Sequence, residues 1–197
     1  MSFLMDRVFH LVLAPLVRTW ASTVSDGLVG VPIPLDSPRV HAPGPDSDRV
    51  LVFGAGPAVG RGVSSHNLAL PGALARALTA KTGRGMNVNV ISDSSLNIRN
   101  ASNRLEGALL WKYDAIVLTL GVNDALAFTS IRMWTQRLTE LLSEIRASAD
   151  PRLEVFVAGI QPIRSIPGFD SALGDWRPVV PNYSTGPHQS CAQEYRR

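Results

Sequence analysis

The sequence predicts an α/β fold, a parallel sheet with helices on both faces, and three observations predict it. Apolar runs of strand length recur at residues 50–53, 115–120 and 155–160, and residues 87–91 read as a further strand. Between them lie stretches whose apolar residues repeat at helical spacing. The loops richest in Gly, Asn, Asp and Ser all fall just after the runs. Continuous apolar runs are what strands buried on both faces require. Strand alternating with helix is the signature of a parallel sheet. Ligands of such sheets bind beyond the carboxyl ends of the strands. Here those ends carry residues 54–56, 92–95, 121–124 and Gln161, so four polar loops should converge on one edge.

Each element has its own justification. In residues 1–30, Leu4, Val8, Leu11, Val12 and Leu16 fall on one helical face. The apolar core of that segment, 8–17, is too short for a spanning helix, which needs about 20 residues. A signal peptide would need a small-residue cleavage site, for which the following ASTVSDG is a poor match. Two readings stand for it: a helix packed on the domain, or loose membrane association through residues 4–20. Residues 31–48 carry five prolines and read as an extended linker, with the domain proper running over 49–173. The run 50–53 is the first strand. A helix should open at Pro71 with Leu74, Ala77 and Leu78 inward and stop at Gly83. The second strand is 87–91. Ile98, Ala101, Leu105 and Leu109 then mark a helix. After the third strand, AIVLTL, the stripe Ile131, Trp134, Leu138, Leu141 and Ile145 marks another. The fourth strand lies in LEVFVAGI. No repeat of fixed period is visible, and residues 174–197 form an irregular tail.

Composition excludes several functions. The chain has 197 residues, 45% hydrophobic and 18% charged, which is globular composition. A net charge of +3 without a basic run gives no footprint for nucleic acid. Cys191 is the only cysteine, and His10, His41, His66 and His188 show no ligand spacing, so no metal site and no cofactor is expected. A cytoplasmic or peripheral membrane location fits this composition.

The segment VLVFGAGPAVGRGV, residues 50–63, poses the functional question. Gly54, Gly56 and Gly60 form a G-x-G-x-x-x-G. A dinucleotide site would need a helix opening directly at these glycines and an acidic residue about 20 positions further on. Instead the loop RGVSSHNLAL intervenes, and the first acid at the end of the second strand is Asp93. Ser64, Ser65 and His66 in that loop read as solvated residues.

The third strand ends in LTLGVNDAL, residues 118–126. Gly121, Asn123 and Asp124 in this Gly-x-Asn-Asp resemble the third block of the SGNH (GDSL-type) hydrolases. The strand and glycine loop at 50–63 then look like that family's first block, Gly-Asp-Ser with a later Gly. The resemblance covers residues 48–172. It implies a flavodoxin-like three-layer sandwich, of which four strands are recognisable and the fifth is missing. It implies acyl-ester hydrolysis or transfer through a serine nucleophile, with a small acyl ester or acyl group as ligand. Carried over by position, Asn123 is the oxyanion donor. Gly56 holds the nucleophile position and offers only its backbone N–H, and Ala55 replaces the acid before it. Gly54, Gly60, Asp93, Gly121 and Asp124 line the ligand side, with Asp124 bracing a loop or capping a helix.

The departures are chemical. The family's Asp-x-x-His is absent, and His188 in TGPH has Thr185 where the aspartate belongs. The second block should fall in ISDSSLNI, yet no glycine lies between Gly85 and Gly107, and Asp93 there has the wrong sign for stabilising an oxyanion. One oxyanion donor contributes about 10²–10³ in rate, so Asn123 alone sustains no meaningful turnover. The expectation is therefore an inactive copy, with two alternatives: a non-catalytic ligand-binding module on the same fold, or a dinucleotide-binding protein using Gly54, Gly56 and Gly60. The tail is either that of a short homologue or the product of a shifted frame. In both cases residues 153–160 should form an exposed sheet edge able to pair in a homodimer.

Overall fold

The computed structural model describes residues 31–159. The readings of residues 4–20, Ile160, Gln161, His188, Cys191 and the tail 174–197 lie outside the described residues.

The chain runs β1 (Arg39–Ala42), β2 (Asp48–Gly54), a 3-10 turn (Gly56–Ala58), α1 (Leu70–Thr82), β3 (Met86–Ser92), α2 (Ala101–Leu105), a 3-10 turn (Leu110–Lys112), β4 (Ala115–Thr119), α3 (Val122–Leu126), α4 (Ile131–Ser148) and β5 (Glu154–Val157). The sheet order is β1-β3-β2-β4-β5. β3, β2, β4 and β5 are parallel, and β1 is antiparallel to β3. The parallel strands thus follow the second-first-third-fourth order of flavodoxin-like sheets, which reverses direction at β2.

Alternate residues of β2 feed two cores. Leu51 and Phe53 face one side, where Leu138, Leu141 and Ile145 of α4 and Ala101 and Leu105 of α2 cover them. Val50 and Val52 face the other, with Ala75 of α1 and Val88 and Val90 of β3; Leu74 and Leu78 pack on this cluster. Because both faces of β2 are covered, residues 50–53 are continuously apolar and buried. This is the three-layer α/β sandwich the sequence predicts.

Local chemistry sets the helix ends. Pro71 sits in the first turn of α1, and Gly83 closes it in the left-handed conformation at φ +71°. Ser130 caps α4 by accepting from the Met133 N–H at 3.3 Å. Within α1, Leu74 and Leu78 pack inward as expected, whereas Ala77 is exposed and Ala75 is the buried alanine.

Two elements differ from expectation. The helix marked by Ile98, Ala101, Leu105 and Leu109 spans only Ala101–Leu105. Glu106 leaves helical geometry at ψ 132°, and Gly107 turns the chain at φ +79°. Leu110 then enters the core in place of the exposed Leu109. The second difference is the linker 31–48, which contains β1. Val40 and Ala42 alternate inward with exposed Arg39 and His41. The prolines flank this strand instead of interrupting it, so its ladder to β3 is complete. The fifth strand of the sheet therefore comes from ahead of β2.

Candidate functional site

The loops leaving β2, β3 and β4 meet at the carboxyl edge. Gly54 stands opposite both Ser92 of β3 and Thr119 of β4. Beyond it, the Ala55 N–H donates to the Thr119 carbonyl at 2.9 Å, and the Asp93 N–H to the Gly54 carbonyl at 3.2 Å. The buried Thr119 hydroxyl donates to the Ala55 carbonyl at 3.2 Å. The convergence read from the sequence is thus built from backbone hydrogen bonds.

The first-strand glycines have separate reasons. A Cβ on Gly54 would lie 2.2 Å from the Thr119 carbonyl oxygen, so β4 approaches too closely for any side chain there. A Cβ on Gly60 would lie 2.9 Å from both Pro34 Cγ and Ala69 Cβ. Gly56 is different. It is exposed, its φ is +58°, and nothing lies within 4 Å of where its Cβ would be. A side chain at this position would point into open space at the edge where the loops meet.

Asn123 and Asp124, on the short α3, reach back to the β3 loop. The Asn123 amide nitrogen donates to the Ser94 carbonyl at 2.8 Å and the Leu96 carbonyl at 2.7 Å. Both of its hydrogens are thereby used, although the family resemblance casts this amide as a donor to an oxyanion. Asp124 is buried and accepts the Ile98 N–H at 3.1–3.2 Å through both oxygens. Burial pushes its carboxyl above the ordinary range, and the Ile98 N–H partly opposes this. Gly121 precedes α3 at φ +120°, turning the chain out of β4. Together, Asn123 and Asp124 stitch residues 94–98 to α3, which follows β4.

Asp93 accepts from the Ser95 N–H at 2.8 Å and the Ser95 hydroxyl at 2.7 Å, and it pairs with the Arg104 guanidinium. The Ser95 bonds first, and then Arg104, hold its carboxyl below the usual range. Its charge at the edge is thus matched by a cation.

His66 departs from its reading as a solvated loop residue. It is buried at 6% exposure. Its backbone N–H donates to both Asp36 oxygens at 3.1 Å, and its Nδ1 lies 2.7 Å from Asp36 Oδ1. Desolvation raises the Asp36 carboxyl, but the His66 bonds outweigh it and hold the group low. Sequence reasoning missed this pair because its members stand 30 positions apart in two segments taken as solvent-exposed. The one signal was an acid, Asp36, within the proline-rich run VPIPLDSP.

No protein-family model and no curated protein sequence matches the chain. Solved structures do. The chain is similar to AlinE4, an SGNH-hydrolase family esterase, at 21% identity and a TM-score of 0.53, over 63% of this chain and 64% of that one. It is similar to the lipase Lip_vut3 from a goat rumen metagenome at 16% identity and TM-score 0.52, over 62% of this chain and 69% of that one. It is similar to TesA at 23% identity and TM-score 0.50, over 60% of this chain and 63% of that one. The chain therefore spans about six tenths of the length of the esterase structure. With the strand order and the convergent carboxyl-edge loops, these likenesses establish that the chain has an SGNH-hydrolase-like α/β fold.

Proposed function

We propose that the chain is an SGNH-hydrolase-like protein that does not turn over acyl esters and holds a small acyl or acyl-ester ligand at the carboxyl edge of its sheet. Gly56 carries this reading. The resemblance assigns it the nucleophile position, and it faces open space and has no hydroxyl. Two further observations support it. The Asn123 amide is committed to the Ser94 and Leu96 carbonyls and does not wait for a developing oxyanion. The Asp93–Arg104 pair leaves the edge without a net negative charge at that point, so an acyl carboxylate or carbonyl oxygen is not repelled from it. The exposed backbone at Gly56 offers the N–H such a ligand would meet, while the buried Gly60 does not serve as the second donor read from the sequence.

Fluorophosphonate labelling of the folded protein, read by intact mass, tests the absence of turnover. No adduct is expected, and an adduct on any serine would overturn that part of the reading. Thermal stabilisation by short-chain carboxylates tests the binding part. A melting curve unchanged across the acyl series at millimolar concentration would leave the fold without this ligand class.

A further inference from the structure

Residues 32–36 and 59–69 belong to no helix or strand, and none of them enters the two apolar clusters that join the sheet to its helices. They are nevertheless tied to each other along their length. The Gly62 N–H donates to the Pro32 carbonyl at 2.7 Å. Pro34 fits against Gly60, where a Cβ would come within 2.9 Å of its Cγ. Asp36 accepts the His66 N–H on both oxygens at 3.1 Å, and the His66 Nδ1 lies 2.7 Å from its Oδ1. The last tie differs from the others in being made by side chains, and it is uneven. The His66 side chain is 8% exposed and that of Asp36 37%. A dry imidazole and its backbone N–H thus depend on a carboxylate that water reaches.

We propose that residues 32–36 and 59–69 form one strap that opens and closes while the sheet stays folded, with the Asp36–His66 pair as its clasp. Segments with few buried apolar contacts open at a lower free energy than the whole fold, and they do so in cooperative units. The strap has this character, and firmer elements bound it. The His66 carbonyl accepts the Gly72 N–H of α1 at 3.1 Å, and the Pro38 carbonyl, just past Asp36, accepts the Val90 N–H of β3 at 2.9 Å. Movement at the strap reaches the carboxyl edge. The Val59 N–H closes the turn on the Gly56 carbonyl at 3.0 Å, and the next residue, Gly60, is the one that Pro34 covers. Release of the clasp therefore frees the far end of the turn that presents Gly56. The inference rests on these contacts and does not require the acyl-ligand reading.

Hydrogen exchange of the full chain, followed amide by amide by NMR at neutral pH, tests it. In the wild type the Gly62 and His66 amides should share one protection factor, at least about tenfold below that of the Val52 amide in β2. Gly62 is then the reporter, because its own bond to Pro32 does not involve Asp36. In Asp36→Ala its protection should fall by about tenfold or more, the factor expected for a lost hydrogen bond to a charged group. Asp36→Asn, which keeps an oxygen acceptor for His66, should show a smaller fall and serves where the alanine variant does not fold. Gly62 protection unchanged in both variants would show contacts that open independently, and would overturn the proposal. So would wild-type Gly62 and His66 amides as protected as Val52, since the strap would then open only when the whole fold does.

Discussion

Two glycines two residues apart in one loop have opposite tolerances. Gly54 touches the Thr119 backbone and Gly56 touches nothing. Gly54→Ala should therefore destabilise the fold by about 3 kcal/mol or more, the cost of overpacking against backbone. Gly56→Ser should cost only about 1–2 kcal/mol, the penalty of the left-handed conformation. Paired denaturant titrations distinguish the two. The Gly56→Ser protein should remain unlabelled by fluorophosphonate, because nothing described beside that position activates a hydroxyl.

Asp124 and Asp93 respond to pH in opposite directions. Burial raises the Asp124 carboxyl pKa above the ordinary 3.8. Its contribution to stability is therefore full below 3.8 and is lost as pH rises through the folded value. Asp93 has a lowered pKa, so its contribution is present above 3.8 and is lost as pH falls through the folded value. Urea titrations from neutrality towards pH 4 should show wild type gaining on Asp124→Asn as pH falls. They should show it losing its advantage over Asp93→Asn on continuing below 3.8. Asp124→Ala, which leaves the buried Ile98 N–H without an acceptor, should cost about 2 kcal/mol at neutral pH.

At the scale of elements, periodicity was readable where a long element packs on the sheet. Trp134, Leu138, Leu141 and Ile145 of α4 are all buried, although Ile131, the first residue of the stripe, is exposed at the helix start, and Leu141→Ala should cost about 2–5 kcal/mol by chemical denaturation. Periodicity misled where a short element is cut by a turn. Ile98, Ala101 and Leu105 are buried although only Ala101–Leu105 is helical, because Gly107 redirects the chain before Leu109. Proline counting misled at residues 31–48, where only the pairing with β3 reveals that Val40 and Ala42 alternate inward. Among the described residues β5 is the last strand of the sheet, with Phe156 54% exposed and Val157 40% exposed. We propose that it pairs with a second copy. Light scattering should show mass rising with concentration in wild type and less in Phe156→Lys, and a monomer at high concentration would remove the idea.

For the molecule as a whole, the sheet and its covering helices were legible because burial on two faces imposes continuous apolar runs such as residues 50–53. The site was legible only in outline. Gly54, Gly56, Asp93, Asn123 and Asp124 do gather at one edge, but which hydrogen atoms are free there depends on contacts between loops tens of residues apart. The Asp36–His66 pair, joining two segments with no periodicity, left no trace in spacing. Among the described residues no helix is long and apolar enough to cross a membrane.

The work done by Asn123 and Asp124 bears on how such a chain changes over generations. Both side chains hold residues 94–98 in place whether or not any ester is ever cleaved. Selection for folding alone would preserve the Gly-x-Asn-Asp signature in a lineage that had lost its serine. Survival of that signature is a record of architecture, and activity is a separate question, which the proposed reading refers to position 56.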